Sequence, residues 1–503
     1  MALIISHLLS FILFFPTLAA LIVLFVSGTR VRFIRWWTFG ASLVPLLLTV
    51  LLWLQFNPTT TGFQFEEKFP WYAALNSSYH LGVDGISLPM VLLTTLLAPL
   101  AILASFGITD QVKPYMILFL LLETGMLGVF MALDLVLFFV FWEIGLVPMY
   151  FLINRWGGTN RNYASLKFIL FTIGGSLGLL LAIQVIGVVM GTYDLVELIN
   201  QWPGMTRFEV FNLPASSVKA IAFWAFVVAF AIKVPAWPFH TWLPDAHTEA
   251  PTAGSMLLAG VLLKLGAYGF LRLVLPLFPI ESKNFASPLT IMATLSIIFG
   301  AFSAYGQRDF KRLVAYSSIS HMGFVVLGVA VAAFASGTDN AVIAVNGAVL
   351  QMFAHGLSSA GMFFLVGVIY ERTHTRDLIE YGGLYALLPI YGGILLFTAM
   401  GSLGLPGLAG FVAEFLVVRG AWPVFMVATA LSTLGLLFTG LYVLKALKQV
   451  LHGPANQRWV GHLSQMTPRE IVVMAPLMVF ILLTGIWPAW ILNIINRAVI
   501  TWF

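Results

Sequence analysis

The sequence predicts an all-α polytopic membrane protein of about 14 transmembrane helices, arranged as two inverted five-helix repeats that each contain a broken helix. Three observations carry this. The chain is 60% hydrophobic and 9% charged over 503 residues, whereas soluble domains run at about a quarter charged. Its apolar runs recur near the ~20 residues that a spanning helix needs, and the period-2 alternation of a membrane barrel is absent. Two of those runs are interrupted by proline or glycine beside a charged residue, and they stand five segments apart.

The expected segments are 4–27, 36–56, 87–107, 114–132, 135–153, 168–190, 220–239, 251–275, 288–305, 313–335, 342–369, 387–420, 423–444 and 471–493. The first lacks a basic start and a small-residue cleavage site, so it reads as a retained helix rather than a signal peptide. Cysteine is absent, which excludes thiolate-held iron–sulfur clusters, thioether-attached haem and disulfides in this chain. No phosphate-binding glycine loop, dinucleotide fingerprint or zinc-protease helix is present. The Arg155–Arg161 loop, though glycine-containing and basic, reads as a polar turn between helices.

The pI near 9.3 reflects membrane orientation rather than nucleic-acid binding. Sixteen of the 25 Lys and Arg fall to one side of the membrane, in connections or at helix ends, seven to the other, and Lys233 and Lys264 lie inside helices. The rich side is expected to face the cytoplasm or stroma, with both termini opposite.

The seventh segment carries Lys233 followed by Pro235 and Pro238, and the twelfth carries Gly401, Gly404, Pro406, Gly407 and Gly410 before Glu414. Proline removes a backbone donor and glycine weakens a helix, and the freed groups are tolerable in lipid only where protein or water meets them. Segments four to eight (114–275) and nine to thirteen (288–444) then form two five-helix blocks, after N-terminal helices in 1–107 and before a C-terminal helix at 471–493, within a single membrane domain (1–503). Because five is odd, the second block starts from the opposite side. Interrupted helices at matching places in inverted halves mark an ion or substrate path; the bland alternative is that they only ease packing.

A charge near the bilayer centre costs at least ~2.5–3.5 kcal/mol on insertion scales, so it is a functional candidate by default. Glu123, Glu143, Lys233, Lys264 and Glu414 are such residues. Both central bases are lysines, which can release a proton, whereas a guanidinium effectively cannot. Static ion pairs that fix packing are the alternative. His240, His247, His321 and His355 stand between these charges, and histidine can pass a proton through either nitrogen. Each taken alone is equally a hydrogen-bonded packing residue. Nothing besides the pair His321 and His355 suggests a porphyrin, and no metal site is expected.

Trp142–Tyr150, Lys233–His247, Ala250–Ser255, Lys311–His321 and Gly404–Glu414 together resemble the antiporter-like subunits of respiratory complex I, and Glu at the twelfth-helix site without a long lateral C-terminal helix resembles the M type. The resemblance runs over segments three to thirteen. It implies a fourteen-helix proton-translocating subunit in which Glu143 and Lys233 form a pair acting on Lys264, and a hydrated path runs through His321 and His355 to Glu414. It places Glu123 at a further acidic position of the family. His240 and His247 are supporting candidates. It implies no cofactor on this chain, with NAD(P)H or ferredoxin, iron–sulfur clusters and quinone in hydrophilic and membrane partner subunits. A bacterial plasma membrane is the expected location and a thylakoid membrane the alternative. Competing readings are a subunit of a multi-subunit sodium/proton antiporter or membrane-bound hydrogenase, and a purely structural membrane anchor.

Overall fold

Where lipid is the solvent, backbone groups must be satisfied within the chain, and the hydrophobic runs accordingly become helices. The computed structural model describes residues 6–503, so the first two residues of the expected segment 4–27 lie outside the described part. The helices are α1 (Leu8–Phe25), α2 (Val31–Gln55), α3 (Ser87–Gly107), α4 (Val112–Met131), α5 (Leu135–Trp156), α6 (Arg161–Met190), α7 (Ala215–Lys233) and α8 (Thr252–Leu277). They continue with α9 (Ala286–Gly306), α10 (Phe310–Ala335), α11 (Asp339–Thr373), the divided α12 (Pro389–Leu403 and Ala409–Ala421), α13 (Met426–Leu451) and α14 (Pro468–Ile486). Thirteen of the helices in the described residues are long and apolar enough to cross a membrane, and α12 makes the fourteenth pass in two pieces. The central stretches of α8 and α11 are enclosed by the other helices, whereas α2, α6 and α13 expose long apolar faces such as Leu54, Val188 and Val427, as lipid contact requires.

Both breaks fall where the sequence places them, and protein groups meet the freed backbone. Beyond Lys233, Trp237 N donates to Ser296 Oγ of α9 at 2.8 Å, and the Trp242 indole donates to the Ile232 carbonyl at 2.9 Å. The chain then resumes as a short helix, Trp242–Glu249. In α12 the first half ends on Gly404, whose φ of +82° is a left-handed cap that a side chain would strain.

Three features differ from the expected pattern. Residues 57–86, left between the second and third expected segments, contain an antiparallel hairpin of β1 (Gln64–Tyr72) and β2 (Ser77–Val83). Asp134, at the start of α5, accepts from Ser77 Oγ and Ser78 N at 3.0 Å each, and Asp194 meets His80 Nδ1 at 2.8 Å, tying the hairpin to two neighbouring loops. The last expected segment, 471–493, is two helices, because the chain turns at Trp487–Pro488 after α14 and continues as α15 (Ala489–Trp502). Arg272, counted above as a helix-end residue, lies inside α8 and is 1% exposed. The Arg155–Arg161 loop is a turn as expected; Asn160 N and Gly158 N donate to Glu249, whose carboxylate leaves no room for a Cβ at Gly158.

Candidate proton path at the centre of the bundle

Lys264 is 0% exposed on α8, and the helix around it is not uniform. Wider π-helical turns occupy Leu258–Leu262 and Phe270–Val274, on either side of the lysine. Such turns are rare and concentrate at functional sites. Here the ammonium turns back on its own helix and donates to the Ala259 carbonyl, while His355 Nδ1 on α11 lies 2.7 Å from Nζ. No carboxylate among the described residues comes within the 4.0 Å of an ion pair.

The polar row continues across the bundle. The His355 and His321 rings are 5.6 Å apart between centroids. His321, on α10, presents Nδ1 to Glu414 Oε1 at 2.7 Å, while its Nε2 faces the Tyr442 hydroxyl at 3.2 Å and Ser402 Oγ at 3.3 Å. Gln351 Nε2 donates to the same Glu414 oxygen at 2.9 Å. Glu414 itself stands in the second half of α12, just past the break, and is 4% exposed. Its partners are therefore His321 and Gln351.

Lys264, His355, His321 and Glu414 thus form one line, joined at each end by a short contact and bridged in the middle by facing imidazoles. Glu143 and Lys233 do not join it. Lys233 Nζ lies 4.8 Å from the centre of the Trp142 ring, a cation–π contact, and no ion pair to Glu143 forms in the isolated chain. Glu143 is half-buried on α5, with one carboxylate oxygen enclosed and unpartnered. Glu123 is fully buried on α4 and neither of its oxygens has a hydrogen-bond partner. His240 lies at the α7 break, partly exposed, and His247 stacks flat on Phe363 of α11 at 4.3 Å with both nitrogens unpartnered. Gln351, Ser402 and Tyr442 were not singled out from the sequence; only their place on α11, α12 and α13 facing Glu414 and His321 distinguishes them from other polar residues of membrane helices.

A family model described as "NADH:quinone oxidoreductase/Mrp antiporter, TM" matches residues 132–439, and one for the amino terminus of NADH-ubiquinone oxidoreductase chain 4 matches residues 8–133. The chain belongs to this family. Among its relatives in this NADH:quinone oxidoreductase/Mrp antiporter family, the NADH-quinone oxidoreductase subunit M of Rhodobacter capsulatus is 41% identical over 98% of this chain and 96% of its own. A chain of respiratory complex I from Thermus thermophilus superposes with a TM-score of 0.85 at 28% identity, covering 98% of this chain and 99% of that one. A chain of the Mrp complex from Dietzia sp. DQ12-45-1b shares the fold, with a TM-score of 0.84 at 21% identity over 99% of this chain and 97% of that one. Family membership covers both broken helices and all four residues of the polar line.

Proposed function

We propose that this chain is a proton-translocating membrane subunit of a complex I-type NAD(P)H:quinone oxidoreductase, and that protons cross it along Lys264, His355, His321 and Glu414. The observation that carries the reading is that buried row of titratable side chains, with short contacts at both ends and imidazole rings 5.6 Å apart at its middle, in a family whose full-length relatives include NADH-quinone oxidoreductase subunits.

Chemically the line is a relay. Lys264 meets an imidazole nitrogen, His355 Nδ1, so its proton has somewhere to go without a carboxylate counter-charge to trap it. Imidazole takes a proton on one nitrogen and yields one from the other, which moves charge across a ring without diffusion. His355 Nε2 is buried and unpartnered, and it is the nitrogen left for passage toward His321. Glu414 receives the proton beside the α12 break, where open backbone can admit water. Glu143 and Lys233 act as charges that bias Lys264 from α5 and α7; Glu123, His240 and His247 support the path from α4 and the α7 break.

Redox chemistry belongs to other subunits in this reading. NAD(P)H or ferredoxin, iron–sulfur clusters and quinone are held there, and this chain binds no cofactor. Its partners are neighbouring antiporter-like membrane subunits and, through them, the hydrophilic redox arm. The membrane is bacterial plasma membrane, with a thylakoid as the alternative. The shared fold with an Mrp chain supports a second reading, a subunit of a multi-subunit cation/proton antiporter. Purification in mild detergent separates the two: hydrophilic iron–sulfur subunits accompany this chain in the first case, and only small membrane subunits in the second.

A further inference from the structure

α8 carries a second buried cation, and its surroundings are unlike those of Lys264. Arg272 stands eight residues along the helix toward the outer face, about 12 Å at 1.5 Å per residue. Its guanidinium meets Asp84 Oδ2 at 2.5 Å, and its Nε donates to the Tyr268 hydroxyl at 3.2 Å. The rings of Phe63, Tyr268 and Trp502 surround it at 4.8, 5.5 and 5.5 Å. Asp84 is held on both oxygens: one accepts from Ile86 N, Ser87 N and Ser87 Oγ, and the other accepts from the Trp502 indole and forms the ion pair with Arg272. An ionised carboxylate offers about four acceptor sites, so no lone pair is left for an incoming proton. Both residues are 1% exposed, and Leu273, Val274, Leu277 and Phe278 bury the rest of the helix end.

We propose that the Asp84–Arg272 pair is a permanent plug that closes the outer end of α8, so that a proton on Lys264 leaves only sideways, through His355. A relay needs groups that gain and lose protons. Guanidinium does not lose one on any useful timescale, and this carboxylate has its acceptor positions filled. The aromatic collar, to which the hairpin side contributes Phe63 and α15 contributes Trp502, excludes the water that would bypass the pair. Without such a closure, a titratable lysine about 20 Å along the helix from the outer end of α8 would short-circuit the lateral line to Glu414. The plug rests on the proton-path reading above but is tested apart from it.

The test is passive proton uptake by proteoliposomes holding the whole purified complex, driven by an imposed potassium-diffusion potential without NADH. Arg272→Lys places a group that can deprotonate at the plug; Asp84→Asn/Arg272→Met removes both charges and leaves only the Tyr268 phenol, which ordinarily titrates at about 10. We expect uptake at least severalfold above wild type in Arg272→Lys and wild-type tightness in the double variant, with NADH:quinone turnover reporting assembly in each. Equal tightness in all three, or the same leak in both variants, overturns the plug, the second by making packing rather than titration responsible. So does failure of either variant to assemble, which assigns the pair to folding. Lys264→Ala with intact pumping would instead overturn the path itself and leave a leak through Arg272→Lys unexplained by it.

Discussion

His321 Nδ1 and Glu414 Oε1, 93 residues apart in sequence, lie 2.7 Å from each other in the middle of the bundle, beside the break in α12. The contact joins the second half of a broken helix to the end of an imidazole pair, so a charge arriving at His321 has a carboxylate to receive it. Gln351 holds the same oxygen and fixes its direction.

The Glu414 contact predicts an order among variants. Glu414→Gln keeps the shape and the Gln351 side of the site but cannot take a proton, and it should slow proton transfer through this subunit by ~10²-fold or more. Glu414→Asp should retain more. Proton pumping and redox turnover are read together in assembled enzyme, and wild-type behaviour of Glu414→Gln in both removes Glu414 from the path.

Glu143 is expected to act through its charge rather than through an ion pair, because Lys233 packs on Trp142 instead. Glu143→Asp should then keep more pumping than Glu143→Gln, since a charge felt at a distance tolerates a shift in position but not its loss. Equal pumping by the two variants, measured in reconstituted enzyme, contradicts this.

Much of this was legible beforehand, and the omissions have physical causes. Lipid forces length and apolarity on each spanning run, so the helices and both breaks could be read from hydropathy and from Pro235, Pro238, Gly404 and Gly407. Charges that lipid would not tolerate singled out Lys264 and Glu414. The hairpin leaves no ~20-residue apolar run, and Gln64–Val83 is held by Asp134 and Asp194 from distant loops. Arg272 looked like a helix-end residue because its partner Asp84 lies far off in sequence. The π-helical turns around Lys264 leave no residue signature at all.

The hairpin latch predicts a pH window outside the membrane. Hydrogen bonds from His80 and Lys68 hold the Asp194 carboxyl down at about 2 against the cost of burying it. His80 is held above its usual range by Asp194 and Glu66, which outweigh the cost of its burial. A depressed acid stabilises above its unfolded pKa and loses that as pH falls through the folded one; a raised base stabilises below its unfolded pKa and loses that as pH rises. The latch should therefore be tightest from about pH 4 to about 6.5, between the ordinary Asp and His values. It should loosen on the acid side as Asp194 protonates and on the alkaline side as His80 deprotonates. Hydrogen exchange of 64–83 in the whole complex reads this, and His80→Gln should flatten the alkaline limb; an unchanged limb assigns it elsewhere.

Orientation is testable independently. Sixteen basic residues on one side against seven on the other predict that both termini lie on the outer face and the Arg308–Arg312 connection inside. Single cysteines introduced near each end and in that connection, labelled with an impermeant thiol reagent, should react from opposite sides. Reaction of all three from one side contradicts the arrangement.

Lys264 is the residue on which the account turns, and the most direct measurement is the number of protons moved per NADH oxidised in reconstituted, fully assembled enzyme carrying Lys264→Ala. The account predicts that redox turnover persists in part while this subunit's share of pumping is lost, and that Lys264→Arg, which keeps the charge but not the exchangeable proton, restores little of it. A Lys264→Ala enzyme that assembles and moves the wild-type number of protons per NADH contradicts it.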